Sequence, residues 1–177
     1  SITMVIFTGK VALPAIGRDS FQEADITGIT LPIVKHSFLV RDVNKLASTI
    51  KAAFHLAGTG RRGPVLIDLP KDIQNAEVEF DYPEQVSFRG YRLPSGPSEA
   101  QIYQAVKTIG LSRRPVIYAG GGVIASGAAE ELKEFAEKTQ IPVTTTLMGK
   151  GAIPEDHPLS LGMVGMHGTY YANYAVS

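Results

Sequence analysis

Residues 63–70 read GPVLIDLP, and the architecture can be argued outward from them. Val65, Leu66, Ile67 and Leu69 put apolar groups on both faces of an extended chain, so this is a buried strand, stopped by Pro70. Just upstream, Val43, Leu46, Ala47, Ile50, Ala53, Phe54 and Ala57 recur at i, i+3, i+4, i+7 spacing. That spacing predicts a helix over 43–57 with one apolar stripe. Asp42 is placed to cap it, and Gly58 and Gly60 end it. A helix feeding a buried strand is the alternation of an α/β protein with a parallel sheet.

Toward the N-terminus, residues 2–8 are apolar and β-branched and run into Gly9, which predicts another strand covered on both faces. A short helical stretch is expected at 20–24, with Asp19 or Ser20 as its cap, and a strand at 33–36. Toward the C-terminus the composition changes. Residues 82–98 hold Pro83, Gly90, Pro94, Gly96 and Pro97 with no apolar period, the mark of an interdomain linker. Beyond it, Ser98 caps a helix whose Ile102, Ala105, Val106 and Ile109 share a face. A strand over 115–119 runs into Gly120, Gly121 and Gly122. Leu132, Phe135 and Ala136 mark a further helix, and 141–147 a further strand. A long loop then leads to a helix from about Thr169. The expectation is two partial α/β domains, 1–81 and 98–177, joined by a linker at 82–97.

Composition narrows the function. Seventeen basic residues balance seventeen acidic ones, which argues against a general nucleic-acid or anionic-membrane binder. Cysteine is absent, which excludes disulfides, thiolate metal sites and a cysteine nucleophile. The four histidines lie far apart without ligand spacing, and no metal site is expected. No apolar run approaches the roughly 20 residues that cross a bilayer. The expected setting is cytoplasm or an organelle matrix.

In open parallel sheets, ligands bind beyond the carboxyl ends of the strands. The candidates are therefore Gly9 and Lys10, Pro70 and Lys71, Gly120 to Gly122, and Leu147 and Met148. Glycines between a strand and a helix let a phosphate or ribose approach the backbone. YAGGGVIASG is neither the dinucleotide fingerprint nor the P-loop, and a tight strand-to-helix turn explains it equally well. Lys71 is either a cation facing a cleft or a solvated lysine. Gln22 is either a polar contact to a reacting group or a surface residue. His167 can stack or donate, or be an ordinary loop residue, and Met163 and Met166 are more often core than cofactor contacts.

Longer stretches carry a resemblance. FTGKVALPAIGRDSFQEADITGIT, KHSFLVRDV, GRRGPVLIDLPKD, TTTLMGKGAIPEDHPLSLGMVGMHGT and YANYAV resemble the large catalytic subunit of acetohydroxyacid (acetolactate) synthase, in that family's order. SFQEAD, GPVLIDLPKD and LGMVGMHGT are the more specific segments. The resemblance covers nearly the whole chain and is weakest in the linker. It implies the second half of a pyrimidine-binding domain followed by the first half of a central FAD-binding domain. The family joins two 2-oxo acids with thiamine diphosphate and Mg²⁺, and its FAD takes no net redox part.

By motif, the resemblance implies that Phe21 and Gln22 line the active site near the thiazolium and that Lys71 stands at the substrate channel. It implies FAD contacts for Arg61, whose planar fork suits phosphate. The same holds for Gly120, Gly121 and Gly122, for Thr146, Leu147 and Met148, and for Gly165, Met166 and His167. It further implies homodimers or homotetramers, a regulatory small subunit, 2-oxo acid substrates, and a bacterial cytoplasmic or plastid location. Two positions depart from the pattern: Ala12, where proline associated with herbicide contact is common, and Lys10, where glutamine or asparagine is commoner. The activating glutamate and the metal-diphosphate segment of the family are expected before Ser1 and after Ser177, so the chain by itself is expected to be inactive. The rival readings are a sister thiamine-dependent carboligase or decarboxylase, and a non-catalytic FAD or nucleotide-binding module.

Overall fold

A computed structural model describes residues 2–177. They form two compact units, 2–96 and 97–177, each with its own sheet.

In the first unit, strands β1 (Met4–Lys10), β2 (His36–Leu39) and β3 (Pro64–Pro70) form a parallel sheet in the order β1-β3-β2. The stretch GPVLIDLP is thus the central strand, with Val65, Leu66, Ile67 and Asp68 buried. Central placement is why its apolar residues do not alternate: both faces are covered. Between β1 and β2 lies the short helix α1 (Ile26–Thr30). Helix α2 (Leu46–Gly58) follows a 3-10 turn at Val43–Lys45, and the Asp42 carboxylate accepts from the Asn44 amide as the sequence predicts. Its Ala53, Leu56 and Ala57 pack on Val65 and Ile67. Phe54, predicted in the stripe, is 55% exposed. It lies about 100° around the helix from Ala53, at the edge of the packed face.

Three elements depart from expectation. No helix forms over 20–24; α1 begins at Ile26, with the Asp25 carboxylate accepting from the Gly28 amide. Gln22 takes φ +61°, a left-handed conformation that a right-handed helix cannot contain. The second strand starts at His36, three residues later than predicted, because Leu31 to Ile33 form a turn and only Lys35 donates to the Pro64 carbonyl. Residues 76–97 hold no helix or strand, yet Phe88 and Tyr91 pack against the first unit's core. Part of the expected linker is therefore a strap on that unit. A one-turn helix, α3 (Lys71–Asn75), follows β3 directly.

The second unit starts with α4 (Glu99–Leu111), closed by a reciprocal Ser98–Gln101 capping box. This arrangement satisfies two of the amides orphaned at a helix start. Its predicted face carries Ile102 and Val106, both exposed. Strands β4 (Ile117–Ala119), β5 (Val143–Thr145) and β6 (Ser160–Met163) form a parallel sheet in that order. Helices α5 (Gly121–Ser126) and α6 (Ala129–Thr139) connect β4 to β5, and α7 (Tyr170–Ala175) follows β6. Ala136 of α6 packs on Ala119, Val143, Ala152 and Ile153. Strand β6 falls inside the predicted long loop. Its sequence SLGM lacks β-branched residues, and Gly162 at φ +80° and a register shift at Val143/Thr144 make it irregular.

Candidate functional site

Each sheet presents the carboxyl ends of its strands as a row of loops, and the predicted residues other than Arg61 lie on those rows. In the first unit, Lys10 ends β1 directly opposite Pro70 of β3. Lys71, the next residue, opens α3 and is exposed. Lys10 points inward instead. Its Nζ lies 3.6 Å from Asp68 Oδ2, with side chains only 6% and 0% exposed, and donates to the Ala24 carbonyl at 2.8 Å. Thr8 Oγ1 donates to the other Asp68 oxygen at 2.8 Å. Lys10 thus ties the loop after β1 to the centre of the sheet. Asp68 did not enter the sequence reading, although a carboxylate inside GPVLIDLP was the available signal.

That loop carries Phe21 and Gln22. Glu23 shapes it: its carboxylate accepts from the Gly17, Arg18 and Ser20 amides at 2.5, 3.3 and 3.1 Å. The Gly17 bond foremost, then that from Ser20, lowers the Glu23 pKa, since each amide favours the charged form. With the loop so held, Phe21 is 88% exposed and Gln22 is exposed with its backbone left-handed. At that exposure the Phe21 ring takes no part in the core of the unit. The Leu13 amide donates to both Asp72 oxygens, at 3.1 and 3.2 Å, which ties the same loop to α3 beside Lys71.

Arg61 lies in the bend between α2 and β3, exposed at the opposite, amino-terminal end of β3. The structure therefore does not group it with Phe21, Gln22 and Lys71 at the carboxyl ends.

In the second unit, Gly120 to Gly122 follow β4 and open α5, whose first turn no side chain caps. The Thr146 amide donates to the Ala119 carbonyl at 2.9 Å and its Oγ1 accepts from the Gly149 amide at 3.0 Å. These bonds fold Leu147–Gly149 over the glycine run. The three glycines are not equivalent. A Cβ at Gly121 would lie 3.1 Å from the Met148 Cβ, a packing constraint, whereas one at Gly122 would meet nothing within 4 Å. Leu147 and Met148 stand 69% and 64% exposed. After β6, the Val164 amide donates to the Thr145 carbonyl, and Asn173 bonds Gly165 on both sides, accepting from its amide at 2.8 Å and donating to its carbonyl at 3.0 Å. This turn sets Met166 and His167 out to solvent. Gly120 to Gly122, Thr146 to Met148 and Gly165 to His167 thus share one edge of the second sheet. Among the described residues, no cluster of three or more His, Asp or Glu is arranged to hold a metal ion, and no helix is long and apolar enough to cross a membrane.

Residues 102–177 match the thiamine pyrophosphate enzyme central-domain family. The acetolactate synthase large subunit of Corynebacterium glutamicum is 55% identical over 97% of this chain, which covers 28% of that relative. The chain belongs to the acetolactate synthase large-subunit family. The probable acetolactate synthase large subunit of Methanocaldococcus jannaschii is 52% identical over the whole chain, covering 30% of the relative. The acetolactate synthase of Arthrospira platensis is 52% identical over 99%, covering 31%. The chain thus spans about three tenths of the length of these acetolactate synthases.

Proposed function

We propose that this chain serves acetolactate synthesis, in which two pyruvates, or pyruvate and 2-oxobutyrate, are joined with release of CO2. The observation that carries the reading is 55% identity to an acetolactate synthase large subunit over 97% of the chain. The first unit is then the second half of a pyrimidine-binding domain and the second unit the first half of a central domain.

Thiamine diphosphate with Mg²⁺ supplies the electron sink for decarboxylation when bound. What this chain adds is positioning. Phe21, exposed at 88% on a tied loop, offers an apolar wall that excludes water. Gln22 presents an amide that donates to a carbonyl oxygen. Lys71, exposed after β3, attracts the carboxylate of a 2-oxo acid. FAD fits the carboxyl edge of the second sheet: open space over Gly122 admits a nucleotide close to the backbone. Exposed Leu147, Met148 and Met166 give apolar contact. Arg61 is carried over as a donor to the FAD phosphates. The assembled protein is a homodimer or homotetramer with a regulatory small subunit.

Pyruvate-dependent acetolactate formation by the full-length protein, reconstituted with thiamine diphosphate, Mg²⁺ and FAD, is the test. Activity that disappears on withdrawal of thiamine diphosphate is expected. Decarboxylation of pyruvate to acetaldehyde without carbon–carbon bond formation would move the protein to a decarboxylase.

A further inference from the structure

We propose that Lys35 and Tyr91 are positioning residues for Arg61, locking the shape of the bend 59–63 that carries it. The proposal rests on the reading of Arg61 as a phosphate contact to FAD.

The bend is short and gripped from both ends by one lysine. Lys35 Nζ donates to the carbonyls of Leu56, in the last turn of α2, and of Thr59, its C-terminal cap, at 2.5 and 2.7 Å, where a cation also meets the negative end of the helix. The Lys35 amide donates to the Pro64 carbonyl at 2.7 Å, just past the bend. Its aliphatic stem lies against Gly63, where an added Cβ would come 3.4 Å from Lys35 Cβ. The two ends of the Arg61 bend are thus fixed to the same residue.

Tyr91 closes the middle. Thr59 Oγ1 donates to the His55 carbonyl at 2.6 Å, so its one proton is used. The Tyr91 hydroxyl, 2.9 Å away, must then be the donor to Thr59, while it accepts from Lys35 Nζ at 3.2 Å. The hydrogen bonds therefore run in one direction, from Lys35 through Tyr91 and Thr59 to α2. Next to Arg61, Gly60 holds φ +55°, and a Cβ there would sit 2.9 Å from the Tyr91 oxygen. The tyrosine hydroxyl occupies the space a side chain would take. Edge-to-face contacts with Phe88 and His55 hold the Tyr91 ring, at centroid distances of 6.2 Å each. A strap expected to be a featureless linker therefore sets the geometry of the arginine loop.

The test is a double-mutant cycle on FAD affinity in the full-length protein, read by flavin fluorescence. Tyr91→Phe keeps the ring and removes the hydroxyl; it is expected to weaken FAD binding about fivefold, the scale of one hydrogen bond. Arg61→Ala is expected to weaken it further, and adding Tyr91→Phe to Arg61→Ala to change nothing more. An equal loss in both backgrounds, as a general structural role would give, overturns the proposal, and so does no loss in either. If Arg61→Ala leaves FAD binding intact, the phosphate role of the arginine fails and the proposal fails with it. If Tyr91→Phe weakens binding only beside an intact Arg61, both readings stand. Thr59→Val breaks the same chain one hydroxyl later and replaces Tyr91→Phe in the cycle should that variant not fold.

Discussion

Lys10 and Asp68 form an ion pair at 3.6 Å inside the first unit, with 6% and 0% of their side chains exposed. Asp68 Oδ2 has no hydrogen-bond donor, so Lys10 is its electrostatic partner there. Removing one member of a buried pair strands the other charge at about 3–5 kcal/mol. Lys10→Met is therefore expected to lower the unfolding free energy by about that amount in urea denaturation. Lys10→Met combined with Asp68→Asn is expected to recover more than half of the loss, because the uncompensated charge is gone. A double variant no more stable than Lys10→Met alone would mean that the lysine matters chiefly through the Ala24 carbonyl.

Gly149 and Gly122 separate packing from access on the second sheet's edge. A Cβ at Gly149 would lie 2.3 Å from the Ala119 carbonyl oxygen, against backbone that cannot swing aside. Gly149→Ala is expected to destabilise by at least 2 to 3 kcal/mol, on the order of severe overpacking. Gly122 lies within α5 facing open space, so Gly122→Ala is expected to stabilise by roughly 0.5–1 kcal/mol through helix propensity. The same alanine is expected to weaken FAD binding, because the nucleotide is proposed to approach the backbone there. Thermal melting and flavin titration of Gly122→Ala are therefore expected to move in opposite directions, the melting temperature up and the affinity down.

Glu23 makes the loop after β1 sensitive to acid. Amide donors at Gly17 and Ser20 lower its folded pKa below the ordinary 4.5. A depressed carboxylate contributes stability that is present above its unfolded value and lost as pH falls through the folded one. The loop is thus expected to be held at neutral pH and to loosen below pH 4.5. Glu23→Gln is expected to show the loosened state already at neutral pH. Hydrogen exchange at the Gly17 and Ser20 amides, taken as the ratio of variant to parent, measures this; a ratio that stays at one at neutral pH contradicts the assignment.

What the sequence made legible was what repeats or is long. GPVLIDLP and the helix before it were readable because burial on two faces and a 3.6-residue period leave marks over many positions. Ser98 with Gln101 was half readable, since the cap was foreseen and its reciprocal bond was not. Strand β6 was missed because SLGM has no β-branched residue and pairs only through β5. The clamp at Tyr91 was hidden for a related reason: Lys35, Thr59 and Tyr91 are brought together only by the fold. The proposed site residues on the strand ends were named from topology and resemblance. Nothing in the residues around Lys10 and Lys71 marks the first to turn inward and the second to stay exposed.

Gln22 offers the sharpest separation of stability from function. It holds φ +61°, a left-handed conformation unfavourable for a residue with a Cβ. The tied loop keeps it there, with Glu23 bonded to the amides on one side and Lys10 holding the Ala24 carbonyl on the other. Strained backbone persists where surrounding structure over-determines it, and such residues cluster at functional sites. Gln22→Gly relieves the strain and is expected to raise stability by about 1 kcal/mol. It also deletes the amide proposed to contact the reacting carbonyl, so turnover on pyruvate by the full-length enzyme is expected to fall at least tenfold. Gln22→Asn, which tolerates the same backbone better than glutamine and shortens the reach by one methylene, is expected to lose turnover with a smaller gain in stability than the glycine variant. A glycine variant that is more stable and equally active would remove Gln22 from the active site and leave its conformation a matter of loop geometry alone.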